Sequence, residues 1–160
     1  MRLKLSTLAA ALLLANAAAA EIAPFQIDES IRSVERSRLK HISAIHETVE
    51  NRSATLEGAR LAILRSVTGR AGRMFFLEGE GGGYIDVRLD YKRNPMWLRV
   101  EYTEKYIQIK YLDGLKDFTC KRNIDGMCYK NHRHFYKFGS GLRKNIVRNL
   151  RILERAGRQP

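Results

Sequence analysis

Cys120 and Cys128 are the chain's two cysteines, and four residues after the second comes a His-x-His pair, His132 and His134. Thiolates and neutral imidazoles are the ligands of zinc sites, so a metal site is the first chemistry to test. The spacing argues against it. Cys-x7-Cys is wider than the two to four residues that separate paired cysteines in structural zinc sites. His132 and His134, read as an extended segment, project to one side and could share an ion. A stable site needs three or four ligands and outer partners that fix them. His41 and His46 lie five apart, out of register with an i, i+4 helical pair. No metal is therefore expected, and the histidines are read as solvent-facing or structural.

The cysteines have a simpler use. In an oxidising compartment two cysteines pair, and Asp125-Gly126, with Asn123 nearby, is a turn signal between them. A tight two-residue turn there sets Ile124 opposite Met127 and Cys128 opposite Asn123. A Cys120–Cys128 bridge, whose Cα atoms must come within about 7 Å, is then expected to need a looser loop.

Other motifs carry less. Residues 79–83, GEGGG, lack the Lys-Ser/Thr ending of a phosphate loop and precede a strand pattern rather than a helix. They read as a glycine-rich turn or bulge. Ser140 sits in Gly-Ser-Gly, not in the Gly-x-Ser-x-Gly of a nucleophile elbow, and reads as a helix entry. Asp86 and Asp90 share a strand face with Arg88 between them, which favours ion pairing over acid–base work. No catalytic residue and no cofactor is expected.

The outstanding feature is cationic. Eleven Lys and Arg residues fall between Lys121 and Arg158, against Asp125 and Glu154. Tyr129, Phe135, Tyr136 and Phe138 are interleaved with the first half. Guanidinium and ammonium groups grip carboxylates and phosphates while rings cover apolar parts of a ligand. Basic groups also suit a helix C-terminus, which explains the last turn but not the whole run. The anion-binding candidates are Arg133, Lys137, Arg143, Lys144, Arg148 and Arg151.

Those residues need elements to hold them. From Asp28, Ile31, Val34, Ile42, Ile45 and Val49 recur at helical spacing, and Asn51 to Ser53 break the pattern. A second helix carries Leu56, Ala59, Ile63, Leu64 and Val67, with Ser53 as its N-cap and Gly69 and Gly72 at its end. After the apolar run Met74 to Leu77, the period becomes two. Ile85, Val87, Leu89 and Tyr91 alternate with polar residues, as do Leu98, Val100 and Tyr102, then Ile107, Ile109 and Tyr111. Turns are read at Lys92–Pro95 and Thr103–Lys105. Tyr84, Trp97 and Tyr106 fall on the opposite, outer face, where exposed aromatics can anchor a protein partner. From Ser140, Leu142, Ile146, Val147, Leu150 and Leu153 form a last apolar stripe. The expected fold is α+β: an antiparallel three- to four-stranded meander, helices packed on one face, and a cysteine-closed hairpin before the last helix.

The N-terminus supplies the compartment. Residues 1–20 combine Arg2 and Lys4, an apolar run from Leu8 to Leu14, and Ala18-Ala19-Ala20 before Glu21, the layout of a cleaved signal peptide. The run is shorter than the roughly 20 apolar residues of a membrane span. No cysteine lies near the cleavage point for lipid attachment, and no later segment is long and apolar enough to span a bilayer. Cleavage removes two basic and no acidic residues from a net charge of +12, leaving +10. The reading by domain is a signal peptide at 1–20, a helical lead-in at 21–52, and an α+β domain at 53–160.

Over residues 54–153 the chain resembles a family of small exported bacterial proteins, many of them lipoproteins, with no settled activity. The likeness lies in LEGARLAILRSVTGRAGRM, YIDVRLDY, YIQIKY, and HRHFYKF leading into LRKNIVRNL. The chain departs from that pattern in lacking a lipidation cysteine and in having Cys120 and Cys128. The resemblance implies fold and compartment and carries over no catalytic residue.

The expectation is an exported, periplasmic or secreted, non-enzymatic protein. Its basic C-terminal third meets an anionic envelope component, lipid or polysaccharide, or an acidic envelope protein. Export argues against nucleic acid. The rival reading is a protein–protein adaptor working through Tyr84, Trp97 and Tyr106.

Overall fold

The computed structural model describes residues 22–32, 36–68 and 75–157. The segment read as a signal peptide, and Val34, Gly69, Gly72, Met74 and Arg158, lie outside them. In chain order the elements are α1 (Glu29–Arg32), α2 (Arg36–His46), β1 (Val49–Glu50), α3 (Leu56–Thr68), β2 (Phe75–Gly81), β3 (Tyr84–Tyr91), β4 (Asn94–Tyr102), β5 (Tyr106–Gly114), a 3-10 turn (Lys116–Phe118), β6 (Asn123–Ile124), β7 (Met127–Cys128) and α4 (Arg133–Ala156).

Strict alternation makes β2 to β5 an antiparallel meander, in the order β1-β5-β4-β3-β2. Val87 faces Leu98 and Val100 faces Ile109 across the ladders. Ile85, Val87, Leu89, Leu98, Val100 and Ile107 are almost wholly buried beneath the helices. Each such side chain contributes about 1.5–3 kcal/mol by leaving water. The glycine-rich stretch is both things expected of it: the register slips between Leu77 and Gly79, and Gly82-Gly83 turns the chain into β3. The β3–β4 turn is tighter than expected. It is made by Lys92 and Arg93 alone, both at positive φ, and Asn94 and Pro95 already belong to β4.

Three boundaries differ from the sequence expectation. Val49 is not helical: α2 stops at His46, and β1 adds a fifth strand beside β5, Val49 facing Ile107. The apolar period cannot tell a helix's last contact from a strand's first. Ser53 does not cap α3. Thr55 does, its Oγ1 accepting the N–H of Gly58 at 3.0 Å, while Ser53 donates to Oδ1 of Asn51. The last helix starts at Arg133 rather than Ser140, so His132 and His134 do not lie on an extended segment. His132 is the N-cap, and its Nδ1 accepts the N–H of His134 at 3.3 Å.

The described residues of the stretch 21–52 pack into the same core as the rest. Ile31, Ile42, Ile45 and Val49 are buried together with Ile63, Ile109, Phe135 and Leu142. The hairpin corrects the expectation of a loose loop. It is tight, with Asp125 and Gly126 at positive φ, Asn123 opposite Cys128 and Ile124 opposite Met127. The Cys120–Cys128 disulfide forms nonetheless, with Cα atoms 5.8 Å apart. The slack lies at the hairpin's base, where the chain bends at Lys121 and Arg122. No helix among the described residues is long and apolar enough to cross a membrane.

Candidate functional site

The opposite faces of α4 have opposite chemistry. Phe135, Gly139, Leu142, Ile146 and Leu150 recur at three- and four-residue steps and are buried. Gly139 lets α2 come close: a Cβ there would meet the Cδ1 of Ile45 at 2.8 Å. Asn149 donates to Oγ of Ser66 at 2.8 Å, a buried polar tie to α3. With one face thus anchored, the other is held rigidly to solvent.

On that outer face Arg133, Lys137, Lys144, Arg148, Arg151 and Arg155 are all exposed. At 3.6 residues per turn, these six positions fall in an arc of roughly 60° and extend over about 33 Å. None of the six makes an ion pair among the described residues. The first turn of α4 contains no acidic residue, so Arg133 and Lys137 sit at the positive end of the helix dipole without compensation. Desolvation lowers the pKa of His134, and the charges of His132, Arg133, Lys137 and Lys92 lower it further. Lys92, in the β3–β4 turn, thereby adds to the positive field beside the first turn of α4, where its neighbour Tyr91 packs on His134 and Phe138.

Arg143 is placed differently from the other five sequence candidates. It lies on the flank of α4 and donates to the backbone carbonyl of Glu47 at 2.9 Å and to its carboxylate at 3.1 Å. Its guanidinium ties α4 to the end of α2. Arg155 takes its place in the row. The signal was available in the sequence, since Arg155 is four residues from Arg151 and seven from Arg148.

The three aromatic candidates are not brought together. Tyr84 faces Glu101, whereas Trp97 faces Arg88, four residues or about 13 Å further along β3. Tyr106 starts β5, opposite Glu50 of β1. Between them lies a lattice of ion pairs. Arg99 makes a two-pronged contact with Asp86 at 2.8 Å per prong, and Lys110 meets Glu101 at 3.0 Å. The guanidinium of Arg99 covers the Tyr84 ring at 3.9 Å.

A groove of about 960 Å³ runs between residues 22–29 and this sheet face, with Tyr84, Arg99, Gln108, Lys110 and Met127 in its lining. The two cations in its lining, Arg99 and Lys110, are engaged in the ion pairs just described. The histidine pair stands at the entry to α4 with ring centres 4.7 Å apart. No group of three or more His, Cys, Asp or Glu suited to a metal ion occurs among the described residues. His46 serves the fold: fully buried, it bonds to Ile109 and Cys128. No family model, curated protein sequence or solved structure matches this chain.

Proposed function

We propose that this is an exported, non-enzymatic protein of the bacterial envelope, periplasmic in location, that binds an anionic surface or partner through the outer face of α4. One observation carries the reading: six cations stand in a row on a rigid helix with no ion pair among the described residues. Such a row costs stability by self-repulsion, and at the helix N-terminus the dipole adds to the cost. An external anion relieves both. Export rests on the layout of residues 1–20, and the disulfide fits an oxidising compartment.

The reading as an adaptor has less support. Its three aromatics are dispersed, and Tyr84 is stacked under an arginine that is already paired.

The test is retention of the protein, residues 21–160, on phosphatidylglycerol vesicles and on a heparin column across a salt series. Binding to at least one is expected, falling steeply with salt, because exposed charges act over about 8 Å at physiological ionic strength. Lys144→Glu, Arg148→Glu and Arg151→Glu together should abolish it while leaving the circular dichroism spectrum unchanged. Wild-type binding by a folded triple variant would reduce the face to a solvated surface.

A further inference from the structure

The shape of the cationic face says more than its charge. We infer that the ligand of α4 is a linear polyanion lying along the helix axis, an extended chain of phosphate or acidic repeat units, rather than a flat bilayer or a compact acidic protein. This rests on the proposed function and specifies its ligand.

The first observation is that the row is one residue wide. Within an arc of roughly 60° the cations succeed each other at steps of four, seven, four, three and four residues, about 4.5 to 10.5 Å of helix rise. A headgroup lattice extends in two dimensions and rewards a patch as broad as it is long. A row rewards a thread.

The second observation is what lies on one flank. Glu47 carries a half-exposed carboxylate and is held there by Arg143, and Glu154 lies near Arg52 along the same side. An anionic sheet wide enough to cover α4 approaches these carboxylates. A chain confined to the row does not.

The third is the middle of the row. Between Lys137 and Lys144 it has no cation, and the chain there is Ser140-Gly141; a Cβ at Gly141 would meet nothing within 4 Å. A thread can lie close to the helix backbone at this point, held by cations on both sides. The apolar face of α4 is meanwhile spent on the core, so the helix has no apolar stripe left to insert among acyl chains, as interfacial helices do.

The experiment measures binding of inorganic polyphosphate chains of graded, defined length to the protein, residues 21–160, by calorimetry or anisotropy. Phosphatidylglycerol vesicles at matched total phosphate serve as the comparison. Affinity is expected to climb with length until the chain spans about 33 Å and then to level off. For a long chain, the log–log slope against salt should be about −4 for six neutralised charges, roughly a 250-fold loss between 50 and 200 mM. A charge-relocated variant separates alignment from total charge. Lys144→Gln and Arg151→Gln, combined with Leu112→Lys and Leu115→Lys on exposed positions outside α4, keep the net charge while breaking the row. This variant should lose at least tenfold in polyphosphate affinity.

Affinity independent of length beyond three phosphates, an unchanged relocated variant, or tighter binding to vesicles than to the long chain would each overturn the linear ligand and leave the anionic-partner reading standing. Absence of binding to every anionic probe would remove both.

Discussion

His46, at the end of α2, accepts the backbone N–H of Cys128 through Nε2 at 3.1 Å, while its Nδ1 meets the carbonyl of Ile109 at 2.8 Å. The two bonds define a neutral ring: Nε2 must be unprotonated to accept, so Nδ1 carries the hydrogen and donates. One buried imidazole thereby joins the last turn of α2, the edge of β5 and the disulfide-bearing hairpin.

That neutrality makes stability pH-dependent. Burial lowers the His46 pKa from 6.5 to about 4, outweighing the bond to Ile109, which raises it. In the unfolded chain the ring takes up a proton near pH 6.5; in the folded one it resists until about pH 4. Stability from this group is complete above pH 6.5 and is lost as pH falls toward 4, by about 3 kcal/mol in all. Urea unfolding of wild type and His46→Gln at pH 7.5, 5.5 and 4.5 checks it. The gap between the two proteins should narrow as pH falls, and a gap constant with pH would refute the assignment.

The disulfide closes a short loop and holds the other side of the same hairpin. Loop-closure entropy predicts that Cys120→Ser with Cys128→Ser costs about 2.5 kcal/mol. Thermal unfolding should show a lower Tm for the double variant, and addition of a reductant should lower the Tm of wild type alone.

At Gly139 the contact with Ile45 sets the distance between α4 and α2. Gly139→Leu overfills that contact, for a cost of about 1–3 kcal/mol. Ile45→Ala alone opens a cavity and costs about 2–5 kcal/mol. Together the two should cost less than their sum, because the larger side chain occupies the space vacated. A double-mutant cycle in urea reads the coupling; strict additivity would mean that the helices are not in contact here.

Arg143 and Lys144 are neighbours in sequence with separate tasks. Arg143→Gln should lower stability by about 1 kcal/mol, chiefly through the lost hydrogen bond to the Glu47 carbonyl; the exposed carboxylate adds little. Retention on anionic probes should hardly change. Lys144→Gln should do the reverse, leaving the unfolding midpoint in place and shifting elution from heparin to lower salt. The same response from both variants would show that the flank and the row act as one charge.

The sheet could be read from residue order because its cause is local. A strand with one buried face must alternate, and Ile85-x-Val87-x-Leu89 and Ile107-x-Ile109-x-Tyr111 announce both the strand and its inner side. The two faces of α4 were legible for the same reason, since a period of 3.6 separates Leu142, Ile146 and Leu150 from Lys144, Arg148 and Arg151. Where elements begin and end was not legible. Gly139 and Gly141 read locally as a break before a helix. Only the approach of Ile45, from more than 90 residues earlier, gives Gly139 a place inside one. Val49 continues a helical period by sequence and becomes a strand because β5 offers it a free edge.

Partnership between distant residues lay still further from view. Arg143 and Lys144 are the same kind of residue on paper. Only the packing of α2 against α4 carries Glu47 to the first and leaves the second to solvent. His46 likewise has no local sign of burial, and its neutrality comes from the carbonyl of Ile109 and the N–H of Cys128. Periodicity and charge order are properties of neighbours in the chain, so the sequence determined the alternating sheet, the amphipathic last helix and its basic character. Ion pairing, burial and close approach belong to residues far apart in it, so the tertiary structure alone decided which cations are engaged by the fold and which six line the outer face of α4 without an ion pair among the described residues.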